Sequence, residues 1–444
     1  MCCVPGQNSA VFQYPDYVDY LTAITHFDTL ILKEQPFDMP GLFYGNFDFE
    51  HELASSAYSR SKRLERLNAE MTGHLLALAE DGDRMFFSLE FPADFLNEVA
   101  KVGFPQTCTG NFSLADASRA NIVPWGWSKQ VGDFSTRQGC KSDTPPLDSV
   151  VRVNSRAFSF EAEQRLLSGI PGQAVVASLK SLEAVISNAS VLWNCPASEL
   201  SWLLKSEFSM SGRERISGRG TVLDGASVGW IARRLKSGLR LFFEPRLVPL
   251  FELSTQWCLE KPEPGETSLV EPRLLGVTHL LTDAAGQYLG SVPVDEAAIS
   301  TSLDDKSGFA LTRSLYDQAV ADAGKVAGDV QRQGYHGPLG IDAMVYRSPD
   351  GDAVVRSIQD VNARLTMGRI ALEWFRRFRE SERPAWLLVP SERLRDRRTL
   401  PSPANPACRL TSPWVLAGQP VRRVGVLFSE QSDWQSLLAT CLRP

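Results

Sequence analysis

The stretch that decides the fold is "IQDVNARLTMG", residues 358–368. Its apolar flanks predict a β-strand, and a strand points alternate residues to the same face. Asp360, Asn362 and Arg364 would therefore share one face, as an acid, an amide and a guanidinium in a row. Such a face is costly to bury unless it meets water, a metal ion or a charged ligand.

The residues before this strand predict its partner. "GYHGPLGIDAMVYRSPDGDAVVRS" (334–357) predicts a hairpin with its turn at "SPDGD", which puts Asp342 on one strand and Asp360 and Asn362 on the other. Three hard oxygen ligands on neighbouring strands suit Mg²⁺. An exposed hairpin with solvated polar residues is the alternative, and the apolar neighbours of these residues favour the buried one.

A lysine in an apolar strand lies further upstream. "WLLKSEFSMSGRERISGRG" (202–220) places Lys205 before a predicted loop that contains Gly212, Gly218 and Gly220. A half-buried lysine needs an anionic partner, and the N–H groups of a glycine-rich loop can close over phosphates. A solvated basic loop is the alternative interpretation.

Two acids follow around a bend. "FFEPRLVPLFE" (242–252) carries Glu244 and Glu252 on either side of Pro245 and Pro249. Such a hinge can offer backbone groups to an adenine and a carboxylate to ribose hydroxyls.

In this order, the pieces resemble the ATP-grasp superfamily of carboxylate–amine or carboxylate–thiol ligases. The resemblance covers about 150–378 and includes a long predicted helix at 309–334; "ARLTMG" is similar to the Asn-x-Arg segment of several such ligases. It implies an α/β (α+β) chain with two α+β subdomains that clasp the nucleotide, after an α/β N-terminal domain of the pre-ATP-grasp type. The expected domains are 1–140, 150–243, 244–378 and a C-terminal extension, 379–444.

The resemblance also implies a role for each residue. Lys205 and the loop residues Ser211, Gly212 and Arg213 would bind the phosphates of ATP, Glu244 would line the adenine and Glu252 would contact the ribose. Asp342, Asp360 and Asn362 would hold Mg²⁺ or Mn²⁺, and Arg364 would be catalytic, at the phosphate or the substrate carboxylate. Two departures stand out. Asp360 replaces the commoner Glu, and an early family lysine has no clear match, with Arg152, Arg156 and Lys180 as candidates.

The expected activity is ATP-dependent ligation of a small-molecule or peptide carboxylate to an amine, with release of ADP and phosphate. A phosphotransferase on the same fold and a non-catalytic nucleotide-binding scaffold are alternatives. A more remote one is a serine hydrolase, because "GASVG" (225–229) matches a nucleophile elbow around Ser227, with Asp283 and His336 as partners.

The length, net charge and apolar runs of the chain limit its expected partners and location. A chain of 444 residues is expected to form several domains, and a net charge of −6 gives no footprint for nonspecific nucleic-acid binding. No apolar run reaches the roughly 18 residues of a membrane span. A secretory signal requires a positively charged N-terminal region, but the first Lys or Arg is Lys33. We therefore expect a cytoplasmic protein without nucleic-acid or membrane partners, for which a homodimer is one possible assembly.

Overall fold

The computed structural model describes residues 39–109, 119–208, 214–261, 270–283, 286–294, 299, 311–378, 384–394 and 408–429. Ser211, Gly212 and Arg213, predicted to bind phosphates, lie outside these residues.

The N-terminal unit is a parallel sheet with helices around it. Its strands are β1 (Gly41–Tyr44), β2 (Arg84–Phe86), β3 (Cys108–Thr109) and β4 (Asn121–Pro124). Its helices are α1 (Phe49–Ala54), α2 (Lys62–Thr72), followed by a 3₁₀ turn (Gly73–Ala77), α3 (Ala93–Ala100) and α4 (Lys129–Gln138). The strand order is β3–β2–β1–β4, with all pairs parallel. The carboxyl ends of β1 and β4 therefore lie side by side, the edge at which open α/β sheets bind ligands.

Two helices, α5 (Leu147–Val153) and α6 (Arg156–Leu166), lead into a second sheet. Its elements are β5 (Ala174–Val176), α7 (Leu179–Leu192), β6 (Ser201–Ser206), β7 (Arg215–Arg219), α8 (Gly225–Lys236) and β8 (Leu241–Pro245). The strand order is β5–β8–β6–β7, all antiparallel.

Two predictions about this segment were wrong in detail. The stretch "RAFSFEAEQRLLSG" (156–169) predicts a helix that closes on Gly169, but α6 ends at Leu166, and the non-glycine Leu167 takes the left-handed conformation (φ 54°) that terminates it. Residues 215–219 were expected to belong to a loop, but they form β7, paired with β6. The absent side chain of Gly218 explains this, because the Trp202 ring fills its place: a Cβ there would lie 2.1 Å from the ring.

The largest sheet has eight strands. They are β9 (Pro249–Leu259), β10 (Arg273–Thr282), β11 (Tyr288–Pro293), β12 (Gly337–Arg347), β13 (Ala353–Asn362), β14 (Ala385–Pro390), β15 (Cys408–Leu410) and β18 (Arg423–Phe428), and a small hairpin of β16 (Val415–Leu416) and β17 (Gln419–Pro420) lies beside them. The helices α9 (Arg313–Arg332) and α10 (Met367–Arg377) pack on the eight-stranded sheet. The strand order is β13–β12–β9–β10–β11–β14–β18–β15, so the C-terminal strands continue the same sheet. The predicted α/β architecture and the β12–β13 hairpin are confirmed.

The strand β13 is the edge of this sheet, and α6 covers it. Val361 donates its backbone N–H to Ser159 Oγ at 3.0 Å, so the helix satisfies a donor that an edge strand would otherwise leave unpaired. This packing brings α6 alongside the predicted metal-binding residues.

In the part of the chain that the structure describes, no helix has both the length and the apolar character needed to cross a membrane.

Candidate active site

The three predicted metal ligands come together on the β12–β13 hairpin. Asp342 and Asp360 are direct partners across the ladder. Asn362 donates from Nδ2 to Asp342 Oδ2 at 3.0 Å, and Ser254 on β9 donates its hydroxyl to Asp342 Oδ1 at 2.6 Å. Two carboxylates and an amide therefore occupy one small area of the sheet face.

The electrostatics of this area favour a cation. Burial raises the pKa of Asp342 to about 6, and the neighbouring Asp360 carboxylate acts in the same direction. Two adjacent acids are costly to ionise together unless a positive charge lies between them, so the donor set fits a hard divalent ion. Among the described residues, no group of three His, Cys, Asp or Glu side chains has metal-site geometry.

Arg364 lies next to these ligands but no longer on the strand. The strand β13 ends at Asn362, and the Arg364 N–H donates to the Asn362 carbonyl at 2.8 Å in a tight bend. The guanidinium nevertheless stays beside the site. Each of its nitrogens donates at 3.0 Å, to Glu50 Oε1, Leu365 O and Asn362 Oδ1.

Arg364 also connects the hairpin to the N-terminal sheet. Its guanidinium lies 5.6 Å from the ring centre of Phe49 and 5.3 Å from that of Trp125, which follow β1 and β4. Leu365 donates its N–H to the Trp125 carbonyl at 3.0 Å. Arg364 is therefore held at the carboxyl edge of the parallel sheet.

Lys205 is buried on β6, as the sequence predicts, and it forms an ion pair with Glu244 on β8. The two residues are near neighbours because Leu203 pairs with Glu244 and Lys205 with Phe242 across the ladder. The opposite oxygen of Glu244 accepts from Arg356 Nη1 at 3.1 Å. Burial opposes the ionisation of Glu244, but the charges of Lys205 and Arg356 outweigh it and hold its pKa at about 2.

Arg156 connects β6, the strand of Lys205, with β13, the strand of Asp360. Its Nη1 donates to Asp360 Oδ1 at 2.7 Å, its Nε donates to the Ser206 carbonyl at 3.2 Å, and its backbone N–H donates to the Glu207 carbonyl at 3.0 Å. Among the three candidates for the missing early lysine, Arg156 is therefore the one that the structure places at the site. Arg152 instead lines a separate open cavity of about 360 Å³ between α6 and α9, and Lys180 is exposed at the start of α7.

Glu252, predicted to contact a ribose, faces the same side of the sheet as Ser254, since it is two residues earlier on β9. It accepts the hydroxyl of Thr282 at 2.7 Å, and burial raises its pKa. Gln359, which also interacts with Glu252, has a buried Oε1 without a partner among the described residues. Gln359 Oε1 is therefore the acceptor of this pair that has hydrogen-bonding capacity left.

The elbow motif has an ordinary structural explanation. Ser227 is the third residue of α8, and its backbone N–H donates at 2.6 Å to the side chain of Asp224, which caps the helix. A nucleophile elbow would place the serine at a sharp turn between strand and helix, so this geometry does not favour a hydrolase.

No protein-family model matches the chain, and no curated protein matches its sequence. Biotin carboxylase from Campylobacter jejuni, complexed with β,γ-ATP, has a TM-score of 0.49 and 14% identity, covering 91% of this chain and 92% of its own. N5-carboxyaminoimidazole synthetase from Staphylococcus aureus, complexed with ADP, has a TM-score of 0.48 and 8% identity, with coverage of 91% and 97%.

The fold comparison rests on a third solved structure. The biotin carboxylase domain of 2-oxoglutarate carboxylase from Hydrogenobacter thermophilus, a dimer in complex with MgADP, ADP and bicarbonate, has a TM-score of 0.50. It is 13% identical and covers 90% of this chain and 89% of its own. The chain has the ATP-grasp fold. At this level of identity the likeness concerns the fold, and the activity has to be argued from the site.

Several residues that build the candidate site were not predicted from the sequence. Arg356, Glu163 and Glu50 are buried and charged, and each contacts a predicted site residue or its partner. Arg356 carried a usable signal, since it is a cation inside the apolar strand "AVVRSIQD", just as Lys205 is in "WLLKS". Glu163 and Glu50 gave no such signal in the sequence, because their partners lie far away along the chain.

Proposed function

We propose that this protein is an ATP-dependent carboxylate ligase that releases ADP and phosphate. The observation that carries the proposal is the meeting of two features at one place: the Asp342, Asp360 and Asn362 set on the hairpin, and Lys205 on the second sheet. Arg156 bridges them through Asp360 and Ser206. Hard oxygen ligands beside buried cations suit a metal–polyphosphate substrate.

Each residue has a proposed role. Asp342, Asp360 and Asn362 would hold Mg²⁺, or Mn²⁺, which when bound offsets the charge of the phosphates. Lys205 and Arg156 would contact the phosphates, together with the loop residues Ser211, Gly212 and Arg213. Glu252 would bind the ribose, and the hinge that begins at Glu244 would line the adenine through its backbone, since the Glu244 side chain is already paired with Lys205 and Arg356.

The chemistry proceeds in two displacements. A carboxylate oxygen of the substrate attacks the γ-phosphorus, the bond to the β-phosphate oxygen breaks, and an acylphosphate and ADP form. The nitrogen of an amine then attacks the acyl carbon, phosphate leaves, and an amide forms. The protein contributes position and charge rather than covalent bonds. Arg364 would hold the reacting carboxylate or phosphate. It lies beside Phe49 and Trp125 at the carboxyl edge of the parallel sheet.

The test is product analysis. Purified protein is incubated with Mg-ATP and a panel of amino acids and short peptides, and the nucleotides are separated by chromatography. Hydroxylamine is added to trap an acylphosphate as a hydroxamate. We expect ADP that depends on a carboxylate substrate, together with hydroxamate. AMP would contradict the proposed mechanism, ADP without hydroxamate or coupled product would favour a phosphotransferase, and binding of ATP without any turnover would favour a scaffold.

A further inference from the structure

Four charged side chains form a continuous buried chain behind the proposed phosphate site. Glu163 on α6 is 2% exposed, Arg356 on β13 is 4%, Lys205 on β6 is 6% and Glu244 on β8 is 8%. Side chains of these types are almost never fully buried unless they are paired. We call these four residues the charge chain.

The contacts of the charge chain alternate in sign. Arg356 pairs with Glu163 through Nε and donates from Nη2 to Glu163 Oε2 at 3.3 Å, while its Nη1 lies 3.1 Å from Glu244 Oε2. Glu244 Oε1 in turn pairs with Lys205. A guanidinium can serve two carboxylates at once because it has five N–H groups in a rigid plane, and an ammonium cannot copy this geometry.

The charge chain is electrically neutral, with two cations and two anions. Arg156 and Asp360, whose charges also act on Lys205, add a further neutral pair. Only the Lys205 end of the charge chain belongs to the proposed phosphate site. Arg356 and Glu163 lie behind it, and their charges reach the phosphates through a medium that screens poorly.

We propose that Arg356 and Glu163 are positioning residues that set the affinity of the site for nucleotide phosphates without touching the nucleotide. Arg356 occupies one oxygen of Glu244, so that this carboxylate holds Lys205 through its other oxygen only, while the Arg356 charge itself acts to lower the pKa of Lys205. Glu163 balances Arg356 and keeps the buried total at zero. This inference rests on the proposed nucleotide site, and it adds the residues that tune that site.

Removing the charge of Arg356 makes the buried charge more negative, whereas removing the charge of Glu163 makes it more positive. Arg356→Met leaves the charge chain one unit negative, and Glu244 is then free to hold Lys205 with both oxygens, so phosphate binding weakens. Glu163→Gln leaves the charge chain one unit positive, so phosphate binding strengthens or stays at its original level. The double variant, Glu163→Gln with Arg356→Met, is neutral again and should recover most of the lost affinity.

The experiment is a double-mutant cycle on ADP binding, measured by calorimetry at pH 8 and at low salt for the full-length chain. Circular dichroism and thermal unfolding of each variant define the temperature at which all four proteins are folded. We expect the Kd for ADP to rise about tenfold in Arg356→Met, to stay level or fall in Glu163→Gln, and to return to within about threefold of the wild type in the double variant.

A purely structural role predicts a different pattern. If the ion pair only stabilises the fold, both single variants lose stability and both lose ADP affinity, or neither changes affinity; either result would overturn the inference. Arg356→Lys provides a second check if Arg356→Met does not fold. It keeps the positive charge but cannot bind two carboxylates at once, so its free energy of unfolding should fall by more than its free energy of ADP binding. The wild type is measured first: if it does not bind ADP, the proposed function fails, whereas wild-type binding with an unchanged Arg356→Met contradicts only this inference.

Discussion

Arg156 and Asp360 lie 204 positions apart in the chain, yet Arg156 Nη1 is 2.7 Å from Asp360 Oδ1. The arginine begins α6, and the aspartate is one of the three predicted metal ligands on β13. A guanidinium therefore neutralises a carboxylate that we expect to bind Mg²⁺. Metal and arginine would compete for the same oxygen.

The first prediction concerns this competition. In Arg156→Met the Asp360 carboxylate loses its cationic partner, so a divalent ion meets less competition for it. We expect the affinity for Mn²⁺ without nucleotide to rise about threefold to tenfold, measured by electron paramagnetic resonance of free Mn²⁺. ATP turnover should fall in the same variant, since Arg156 is also a proposed phosphate contact.

Arg165→Met is the matched control. Arg165 lies on the same helix but pairs with Asp329 at the surface, at 2.6 Å and with 55% of its side chain exposed. Its removal should leave Mn²⁺ binding unchanged. Equal Mn²⁺ affinity in the wild type and in Arg156→Met would show that the arginine does not compete at this carboxylate.

The second prediction concerns the metal ligands themselves. Asp360→Asn and Asn362→Ala each remove a hard oxygen ligand or its charge, and we expect nucleotide turnover to fall below detection while the fold is retained. Asp352→Asn, an exposed acid at the turn of the same hairpin, should keep full turnover. Near-normal ATP consumption by folded Asp360→Asn protein would remove Asp360 from the metal site.

The third prediction concerns Arg364. Lysine at this position can carry the charge but cannot donate to three acceptors that surround a planar group, namely Glu50, Asn362 and the Leu365 carbonyl. We expect Arg364→Lys to lose at least about a hundredfold in kcat while the Kd for ADP changes little, because the proposed work of Arg364 is on the reacting group. The comparison needs single-turnover rates beside calorimetry.

A control separates this effect from a general loss of arginine. Arg347 is exposed at the end of β12 and donates to the Gly351 carbonyl at 3.1 Å, so Arg347→Lys should be silent in both measurements. A parallel loss of ADP affinity and turnover in Arg364→Lys would instead place Arg364 in nucleotide binding.

The parts of the site that the sequence could predict are those encoded by local periodicity. The position of Asp342, Asp360 and Asn362 on one hairpin and of Lys205 in a buried strand could be predicted, because polar residues in apolar strands are costly without a partner, and their roles as ligands stay predictions. The long helix, the β12–β13 hairpin and the bend between Glu244 and Glu252 follow from turn residues and apolar spacing, and the structure contains each of them.

The rest depends on contacts between distant segments. No spacing connects Glu163 with Arg356, Arg156 with Asp360, or Glu50 with Arg364, because each pair meets only after the sheets assemble. The strand β7 could not be predicted either, because two glycines among arginines are typical of a loop. Only the packing of Gly218 against Trp202 shows why a strand forms there.

The last prediction concerns pH and a histidine far from the site. His74 lies in the 3₁₀ turn after α2, fully buried, with its ring 5.5 Å from that of Trp386 and edge-on to it. Neither of its ring nitrogens has a hydrogen-bond partner within the described chain. Burial lowers the pKa of His74 to about 3, whereas a histidine in an unfolded chain titrates near 6.5. Protonation of the folded state is therefore strongly disfavoured.

The sign of the effect follows from proton binding. Between pH 6.5 and 3 the unfolded chain holds a proton on His74 that the folded chain does not, so the free energy of unfolding rises with pH in this window and is lost as pH falls through it. From pH 8 to pH 5 the loss from this residue is about 2 kcal/mol. In His74→Leu, which is close in volume and cannot titrate, we expect urea unfolding at pH 5 and pH 8 to differ by about 2 kcal/mol less than in the wild type. A His74→Leu protein that keeps the wild-type difference would show that the buried imidazole is not what sensitises the fold to acid.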